Sequence, residues 1–308
     1  MNEVASEKAR QGMVREALAD VLLDRAAWAS ARLHAGRTHG VELHEETVTQ
    51  DLLLDIAQAL PSMTARTFTK KEESRNGADW QWEWWFRGRQ WFGLRIQAKR
   101  LKRLRNGILG YDLGYFTGPK RQVDILINQA RSDGIRAAYA LYNGPDLDIG
   151  KFSWGCGHLP ASPVFFGVSL LPARVARDLV NARTVDMSTV AAKSRPWSCL
   201  VSCDPTTGCN GDRWRRRPWW PPSIYDTEPH EDLAVWVATS FYRILIQTAY
   251  GGESVEGQAA RLERLVTQSL TQQRVPRYLG ALLNEVSPDQ VLPPTVRTLT
   301  VFSGSELG

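Results

Sequence analysis

The clearest pattern of hydrophobic and polar positions lies between Gly77 and Lys102. Two runs in this segment alternate with period two, which is typical of strands whose two faces meet different surroundings. The apolar positions are Trp80, Trp82, Trp84 and Phe86 in the first run and Phe92, Leu94, Ile96 and Ala98 in the second. A short polar segment with a glycine separates the two runs. The pattern therefore predicts a β-hairpin.

The length of the connection decides which polar residues of the hairpin face each other. Both apolar sets lie on one side only if paired residue numbers have an even sum, which requires a connection of odd length. A three-residue connection, Gly88–Gln90, is a common solution. Its pairs would be Asp79 with Lys99, Gln81 with Gln97 and Glu83 with Arg95. A five-residue connection would instead pair Asp79 with Gln97, and both solutions gather a carboxylate, an amide and an ammonium on one face.

Such a trio has a recognisable chemical use. A carboxylate on one strand and an oxygen ligand on its neighbour can hold Mg²⁺, a hard ion that prefers oxygen. The bound metal can polarise a phosphodiester and lower the pKa of a bound water, while a nearby ammonium orients that water or offsets charge on phosphorus. The alternative interpretation is an exposed hairpin face with ordinary cross-strand ion pairs, which are common and weak.

The stretch FTKKEESRNGADWQWEWWF, followed by LRIQAKRL, resembles the PD-(D/E)XK, or restriction-endonuclease-like, nuclease superfamily. More narrowly it is similar to an uncharacterised bacterial family within it, with the signature E-E-x-x-x-G-A-D-W followed by Q-A-K. The resemblance covers about Glu45 to Asn143. It implies that Asp79 is the metal-binding aspartate, that Gln97 takes the place of the second acidic ligand and that Lys99 is the catalytic lysine. The departure is Gln97, because a neutral amide binds a metal more weakly than a carboxylate.

A helix predicted over residues 44–60 supplies a further ligand candidate. Its apolar stripe is Val48, Leu52, Ile56 and Ala59. Glu45 continues this stripe, whereas Glu46 heads a poorer one. The resemblance implies that a glutamate of the first helix completes the metal site, so we expect Glu45 rather than Glu46. Alternatively, either acid complements the helix dipole. Glu73, which resembles one of the family's paired glutamates, is a secondary candidate.

The segment after Lys99 predicts a second helix and a buried strand. PKRQVDILINQARSDG has Pro119 near its first turn and Gly134 at its end, and IRAAYALY follows as a strand. A strand–helix–strand connection of this kind favours a mixed sheet with a right-handed crossover. Gln122 lies near the helix start, where several superfamily members carry a glutamine close to DNA. The alternative is an ordinary solvated polar residue.

The hydrophobic pattern of the remaining segments predicts helical additions around one α/β domain. Residues 1–40 form a separate helical element that packs on the core or mediates self-association. Residues 41–308 form the restriction-endonuclease-like domain, a mixed β-sheet flanked by helices, with a C-terminal helical elaboration. The further predicted elements are strands at 164–171, 197–203 and 298–302 and helices at 172–182, 232–250 and 258–271.

The four cysteines offer a weak metal signal. They are Cys156, Cys199, Cys203 and Cys209, with His158 beside the first. Together they have enough ligands for a structural Zn²⁺, but the spacing lacks the tight Cys-x2-Cys of common zinc modules. The alternative is free, partly buried thiols. Disulfides are not expected, because they are rare in cytosolic proteins.

Charge adds candidates for nucleic-acid binding. The formal charge of +5 and the pI of about 9.1 suit a polyanionic partner. The candidate basic residues are Arg100, Lys102, Arg103, Arg213, Arg215, Arg216 and Arg217. Tryptophans are interspersed among the arginines from Arg213 to Arg217 and shortly after them. A loop of this composition can neutralise phosphates and stack on bases. Alternatively, the tryptophans pin a proline-rich loop to the core.

These observations favour a soluble, cytoplasmic nuclease. The N-terminus is polar and no apolar run is long enough to cross a bilayer. The resemblance implies hydrolysis of DNA with Mg²⁺ or Mn²⁺, with RNA as an open alternative, and a role in defence against phage or mobile DNA. A homo-oligomer or a defence-system protein is the expected protein partner. The competing hypothesis is a binding module that has lost metal affinity through Gln97 and only grips nucleic acid or a partner.

Overall fold

The computed structural model describes most of the chain. The described residues are 2–60, 63–67, 81–88, 90–144, 163–203, 232–249, 253–272, 279 and 296–303. No helix among them is long and apolar enough to span a membrane.

A mixed sheet of seven strands forms the centre of the fold. Its strands are β1 (Met63–Thr67), β2 (Gln81–Arg87), β3 (Trp91–Arg100), β8 (Arg136–Tyr142), β9 (Val168–Pro172), β10 (Arg195–Pro196) and β11 (Val296–Ser303). Their order across the sheet is β1-β11-β2-β3-β8-β9-β10. The β11–β2 and β3–β8 pairs are parallel and the others antiparallel. The prediction of a mixed sheet flanked by helices is confirmed.

The remaining elements lie on both faces of this sheet. The helices are α1 (Asn2–Thr38), α2 (Glu45–Ala59), α3 (Gln122–Ser132), α4 (Ala173–Asn181), α5 (Met187–Ala192), α6 (Cys199–Ser202), α7 (Leu233–Ala249) and α8 (Val255–Gln272). Two small hairpins follow β3, and their strands are β4 (Lys102–Arg103), β5 (Leu109–Gly110), β6 (Phe116–Thr117) and β7 (Lys120–Arg121).

The β2–β3 hairpin has the register of the three-residue connection. Gln81 lies opposite Gln97, and Arg87 opposite Trp91. The five-residue alternative is wrong. Two pairs further along this register, Asp79 would lie opposite Lys99. Asp79 lies outside the described residues, so that pair stays a prediction.

The apolar face of the hairpin carries the main core. Its buried side chains are Trp82, Trp84, Phe86, Phe92, Leu94, Ile96 and Ala98. The Trp84 ring lies 5.5 Å from that of Trp197, whose Nε1 donates a hydrogen bond to the Leu22 carbonyl oxygen at 2.6 Å. The helix α1 is therefore attached to the sheet through these tryptophans, with Leu18 and Leu22 fully buried. Packing on the core is what the structure shows for this helix.

The opposite face of the hairpin is buried as well, although its residues are polar. Arg95 donates from Nε to Glu83 Oε1 at 3.1 Å, and its Nη2 contacts the same oxygen. Trp85 Nε1 donates to Glu83 Oε2 at 2.9 Å, and Arg95 Nη2 also donates to Asp133 Oδ2 at 2.6 Å. Glu83 and Arg95 are each 0% exposed. The alternative of an exposed face with ordinary ion pairs is wrong for this pair.

The helix α3 covers this second face. It connects β3 to the parallel strand β8, as the strand–helix–strand prediction required, and buries Val123, Leu126 and Ala130. The Glu83–Arg95–Asp133 chain of contacts joins the hairpin to the end of this helix, because Asp133 is its C-cap residue.

Two strand predictions need correction. The strand predicted at 164–171 begins only at Val168, because a 3₁₀ turn (Pro163–Phe166) precedes it. The strand predicted at 197–203 is wrong. After the two residues of β10 the chain turns into α6, where the Val201 and Ser202 amides donate to the Ser198 carbonyl oxygen at 3.0 and 2.9 Å. The predicted strand at 298–302 and helices at 232–250 and 258–271 are confirmed as β11, α7 and α8.

The buried ion pair yields a stability prediction. Arg95→Met leaves the Glu83 carboxylate buried without its cation, which typically costs about 3–5 kcal/mol. We expect a loss of this size in urea unfolding, and a smaller loss for the double variant Glu83→Leu with Arg95→Met. The matched control is Arg261→Met, because Arg261 pairs with Glu253 where both side chains are about a third exposed. That variant should lose about 1 kcal/mol or less. Equal losses of unfolding free energy for Arg95→Met and Arg261→Met would contradict the conclusion that the buried Glu83–Arg95 pair is the more important for stability.

Candidate functional site

The carboxyl end of β3 meets the beginning of α2. Glu45 Oε1 accepts a hydrogen bond from the Arg100 backbone N–H at 3.2 Å. The next amide, that of Leu101, donates to the Tyr142 carbonyl oxygen of β8 at 2.9 Å. Successive amides of a strand point to opposite neighbours, so the Arg100 amide points toward the β2 side. The Glu45 carboxylate therefore lies at the end of β3, on the side where β2 runs.

The stripe of α2 explains why Glu45 rather than Glu46 faces the sheet. Val48, Leu52 and Ile56 are buried, and Glu45 continues their side of the helix half-buried, whereas Glu46 is exposed. Ala59, expected in the same stripe, is exposed because the helix ends there. No side chain caps the start of α2.

A buried phenol lies beside Glu45. Thr49 Oγ1 donates to the Glu45 carbonyl oxygen at 2.7 Å and lies 2.6 Å from Tyr142 Oη, so the phenol donates in that second bond. Burial raises the pKa of Tyr142 well above its usual range, and the Glu45 carboxylate raises it further. Tyr142 therefore stays neutral and holds the first turn of α2 against β8.

Lys99 lies one residue before Arg100 on the other face of β3. Its side chain is partly exposed, and Nζ is 6.0 Å from the centre of the Tyr115 ring, within the range of a cation–π contact. The Tyr115 carbonyl oxygen accepts a hydrogen bond from the Gln122 amide at 2.9 Å. Because α3 runs back along the sheet toward the start of β8, its first residue lies at the end where β3 finishes.

Three buried glutamines accompany Lys99 on this face. Gln81 and Gln97 are opposite each other and 4% and 2% exposed, and Gln122 at the start of α3 is 4% exposed. The solvated alternative for Gln122 is therefore wrong. Gln81 Oε1 and both polar atoms of the Gln122 side chain have no hydrogen-bond partner among the described residues. A buried polar group without a partner costs about 1–3 kcal/mol. These amides are therefore available to a ligand.

The basic residues after β3 are partly engaged with acids. Arg100 forms an ion pair with Glu42, and Lys102 Nζ is 3.4 Å from Asp112 Oδ2. Arg103 is exposed and donates from Nη1 to the Gly107 carbonyl oxygen at 3.2 Å. All three lie at the end of the sheet that carries Lys99.

Two exposed aromatic residues beside this cluster were not among the residues predicted from the sequence. Tyr115 and Phe116 are 49% and 59% exposed and lead into the β6–β7 hairpin, whose second strand is Lys120–Arg121. The signal was present, because an aromatic pair lies between Gly114 and Gly118, and two basic residues, Lys120 and Arg121, follow shortly after it. The position of this aromatic pair beside Lys99 could not be predicted from the sequence.

Several candidates lie outside the described residues. They are Asp79, Glu73, Arg213, Arg215, Arg216, Arg217, Cys156 and Cys209. Within the described part of the chain no group of three or more His, Cys, Asp or Glu could hold a metal ion. Of the three expected Mg²⁺ ligands, Glu45 and Gln97 lie within the described residues and Asp79 lies outside them.

The expectation of reduced cysteines is wrong for Cys203. Cys203 is disulfide-bonded, whereas Cys199 is buried and forms no disulfide. A sulfur in a disulfide is not a thiolate, so in this state Cys203 cannot serve as a zinc ligand. The two described cysteines of the candidate zinc set are therefore in different chemical states.

The fold and this cluster define a mixed α/β protein with a polar site at the carboxyl end of a central strand. The chain belongs to the family described as "Family of unknown function (DUF6615)", whose model matches residues 18–307. No curated protein and no solved structure matches the chain.

Proposed function

We propose that this chain is a metal-dependent nuclease with a restriction-endonuclease-like fold that hydrolyses phosphodiester bonds in DNA. The observation that carries the proposal is the meeting of Glu45 with the end of β3. The register of the β2–β3 hairpin puts Gln97 and Lys99 on one face of that strand end, and the Glu45 carboxylate reaches the backbone of Arg100. The same register, continued by two pairs, predicts Asp79 opposite Lys99.

The donor atoms fit a hard divalent cation. Glu45 offers a carboxylate and Gln97 an amide oxygen, and Asp79 is the predicted third ligand. Gln81 adds a buried amide oxygen without a partner among the described residues. An all-oxygen set of this kind suits Mg²⁺ or Mn²⁺. When bound, the metal would supply Lewis-acid activation of the phosphodiester and of water.

The residues of the chain supply the remaining chemistry. Lys99 ends on a partly exposed ammonium, which can donate to the attacking water or to a non-bridging phosphate oxygen. The first turn of α3 lies at the same end, and no side chain caps it. The positive end of a helix favours a phosphate, and the carboxamide of Gln122 can donate to it.

The exposed residues around the site suit a nucleic acid. Arg103 and Lys120 can neutralise phosphates, while Tyr115 and Phe116 can stack on bases. These contacts differ from those of the Arg213–Arg217 segment, which was the stronger nucleic-acid signal in the sequence.

A second candidate function rests on Gln97. An amide where the resemblance expects a carboxylate weakens metal binding, and Glu45 is the one carboxylate among the proposed ligands within the described residues. The chain would then be a nucleic-acid-binding module without hydrolysis. Calorimetric titration with Mg²⁺ and Mn²⁺ separates the two functions, because only the nuclease requires saturable metal binding that is lost in Glu45→Gln.

The central prediction concerns Lys99. We expect purified protein to cleave plasmid DNA in Mg²⁺ or Mn²⁺, and Lys99→Ala to slow cleavage by about a hundredfold or more, since it removes a donor to the reacting groups. Gel-based cleavage rates and DNA-binding affinity are measured together. The control is Lys193→Ala, whose ammonium donates to the Thr248 carbonyl oxygen at 2.9 Å and should be dispensable for cleavage. Full activity of Lys99→Ala would refute its role.

Gln97→Glu tests the metal ligand directly. The variant places a second carboxylate at the site and should raise Mg²⁺ affinity by about tenfold or more, because a charged ligand replaces a neutral one. Without metal, the buried charge should lower the melting temperature, and Mg²⁺ should restore it. The matched variant is Gln81→Glu, on the opposite strand, which should gain less. If Gln97→Glu gains no Mg²⁺ affinity, Gln97 is not a metal ligand.

Phe116→Ala tests the aromatic contact. Phe116 is 59% exposed, so its loss should leave thermal stability unchanged. If the ring stacks on a base, DNA binding should weaken by about 1–3 kcal/mol. Leu54→Ala is the control, because Leu54 is equally exposed at 58% on the outer side of α2. Equal affinities of the two variants, measured by fluorescence anisotropy, would exclude the contact.

A further inference from the structure

A second concave site lies at the other end of the sheet, where β8 begins. This cleft has a volume of about 560 Å³ and is bounded by the end of α3, the start of α4 and the helices α7 and α8. Pockets that bind small molecules typically measure about 300–1,000 Å³. Because α3 begins at the candidate nuclease site and ends here, the two sites are separated by the length of that helix.

Among the described residues, three arginines and no acidic residue line the cleft. The arginines are Arg131, Arg136 and Arg174. Arg131 and Arg174 are exposed and form no ion pair within the described part of the chain. Asp133, the acid nearest to Arg131 in the sequence, is instead directed to Arg95. Three uncompensated positive charges around one cavity repel each other, and a bound anion would relieve that repulsion.

Arg136 is held in a fixed orientation at the cleft. Its Nε donates to Tyr242 Oη and its Nη1 donates to the Ile135 carbonyl oxygen at 3.4 Å. The guanidinium also lies 5.6 Å from the centre of the Tyr242 ring. A cation that is already oriented by its neighbours loses less conformational entropy when a ligand binds.

The start of α4 adds to the positive potential of the cleft. Ala173 and Arg174, its first two residues, belong to the lining, and Pro172 provides no side-chain cap for the helix. Uncapped amides at the positive end of a helix favour a phosphate group.

Apart from the three arginines and Gln268, the described side chains of the lining are largely apolar. Ile127, Leu245 and Leu265 line the cleft beside the rings of Phe241 and Tyr242. A small inorganic anion would leave this surface in contact with water, whereas a ligand with a flat apolar body would cover it. Three guanidiniums match a phosphoryl group, which carries more negative charge and more acceptor oxygens than a single carboxylate.

We propose that this cleft binds a small organic phosphate of the nucleotide type, with its phosphate among Arg131, Arg136 and Arg174 and its base against the apolar wall. The site does not depend on the proposed nuclease function, because none of its residues belongs to the cluster around Glu45 and Lys99.

Isothermal titration of the full chain with ATP, AMP, adenosine and inorganic phosphate tests the proposal. EDTA is present so that metal bound elsewhere does not contribute. We expect saturable binding of ATP or AMP, and weaker binding of adenosine and phosphate. Arg174→Gln and Arg131→Gln should each weaken nucleotide binding by about tenfold or more. The control is Arg177→Gln, on the same helix but outside the lining, which should bind like the unmodified protein.

Three outcomes would overturn the assignment. The first is the absence of saturable binding of both nucleotides at millimolar concentration. The second is inorganic phosphate binding as tightly as AMP, which would reduce the site to a general anion site. The third is an equal loss of affinity for a DNA oligonucleotide and for AMP in Arg174→Gln, because the arginines would then serve a nucleic acid. Lys99→Ala separates the two proposals, since nucleotide binding should persist in that variant whether or not the chain cleaves DNA.

Discussion

The ion pair between Glu83 and Arg95 fixes the alignment of β2 with β3, and the arrangement of the candidate site depends on that alignment. Both groups are fully buried, so a shifted register would leave two charges in the interior without partners. A shift of one residue would also turn the tryptophans of β2 away from the core. Since Gln81 and Gln97 lie two pairs further along the same ladder, on the same face, the ion pair determines which side chains come together near Lys99. Its contact with Asp133 extends this constraint to α3, whose first residue is Gln122.

Local alternation was sufficient to predict the hairpin and a connection of odd length, because one face of each strand had to be apolar. The choice of three residues over five came from the observed register. The burial of the second face could not be predicted in this way. Glu83, Arg95 and Gln97 read as a polar, solvent-facing surface, and only the position of α3 over them encloses them. The place of β11 was also beyond local reasoning. The strand at 296–303 was expected, but its insertion between β1 and β2 depends on contacts between residues more than 200 positions apart in the chain.

The candidate site shows the same division between local and non-local information. The preference for Glu45 over Glu46 followed from helix geometry alone, because the residue that continues the buried stripe must face the sheet. The contact of Glu45 with Arg100 spans 55 positions and required the fold. Tyr115 approaches Lys99, and Gln122 lies at the same end of the sheet, only because the crossover places the start of α3 at the end of β3. The segment 197–203 failed as a predicted strand because a short buried run has the same composition in a strand and in a helical turn.

The amide at position 97 gives the proposed site a particular electrostatic balance. Glu45 and the predicted Asp79 together carry a charge that balances a divalent cation, whereas a third carboxylate would leave the site negative and repel a phosphodiester. With Gln97 that repulsion is absent, and Lys99 together with the start of α3 makes the site attractive to phosphate. The cost is a weaker hold on the metal, because an amide is a poorer ligand than a carboxylate. In such a site phosphate oxygens of DNA would add to the ligands that Glu45, Gln97 and the predicted Asp79 would supply, and metal and substrate would then bind cooperatively. The buried amides of Gln81 and Gln122, which lack partners among the described residues, are consistent with a site that becomes fully satisfied only when both are present.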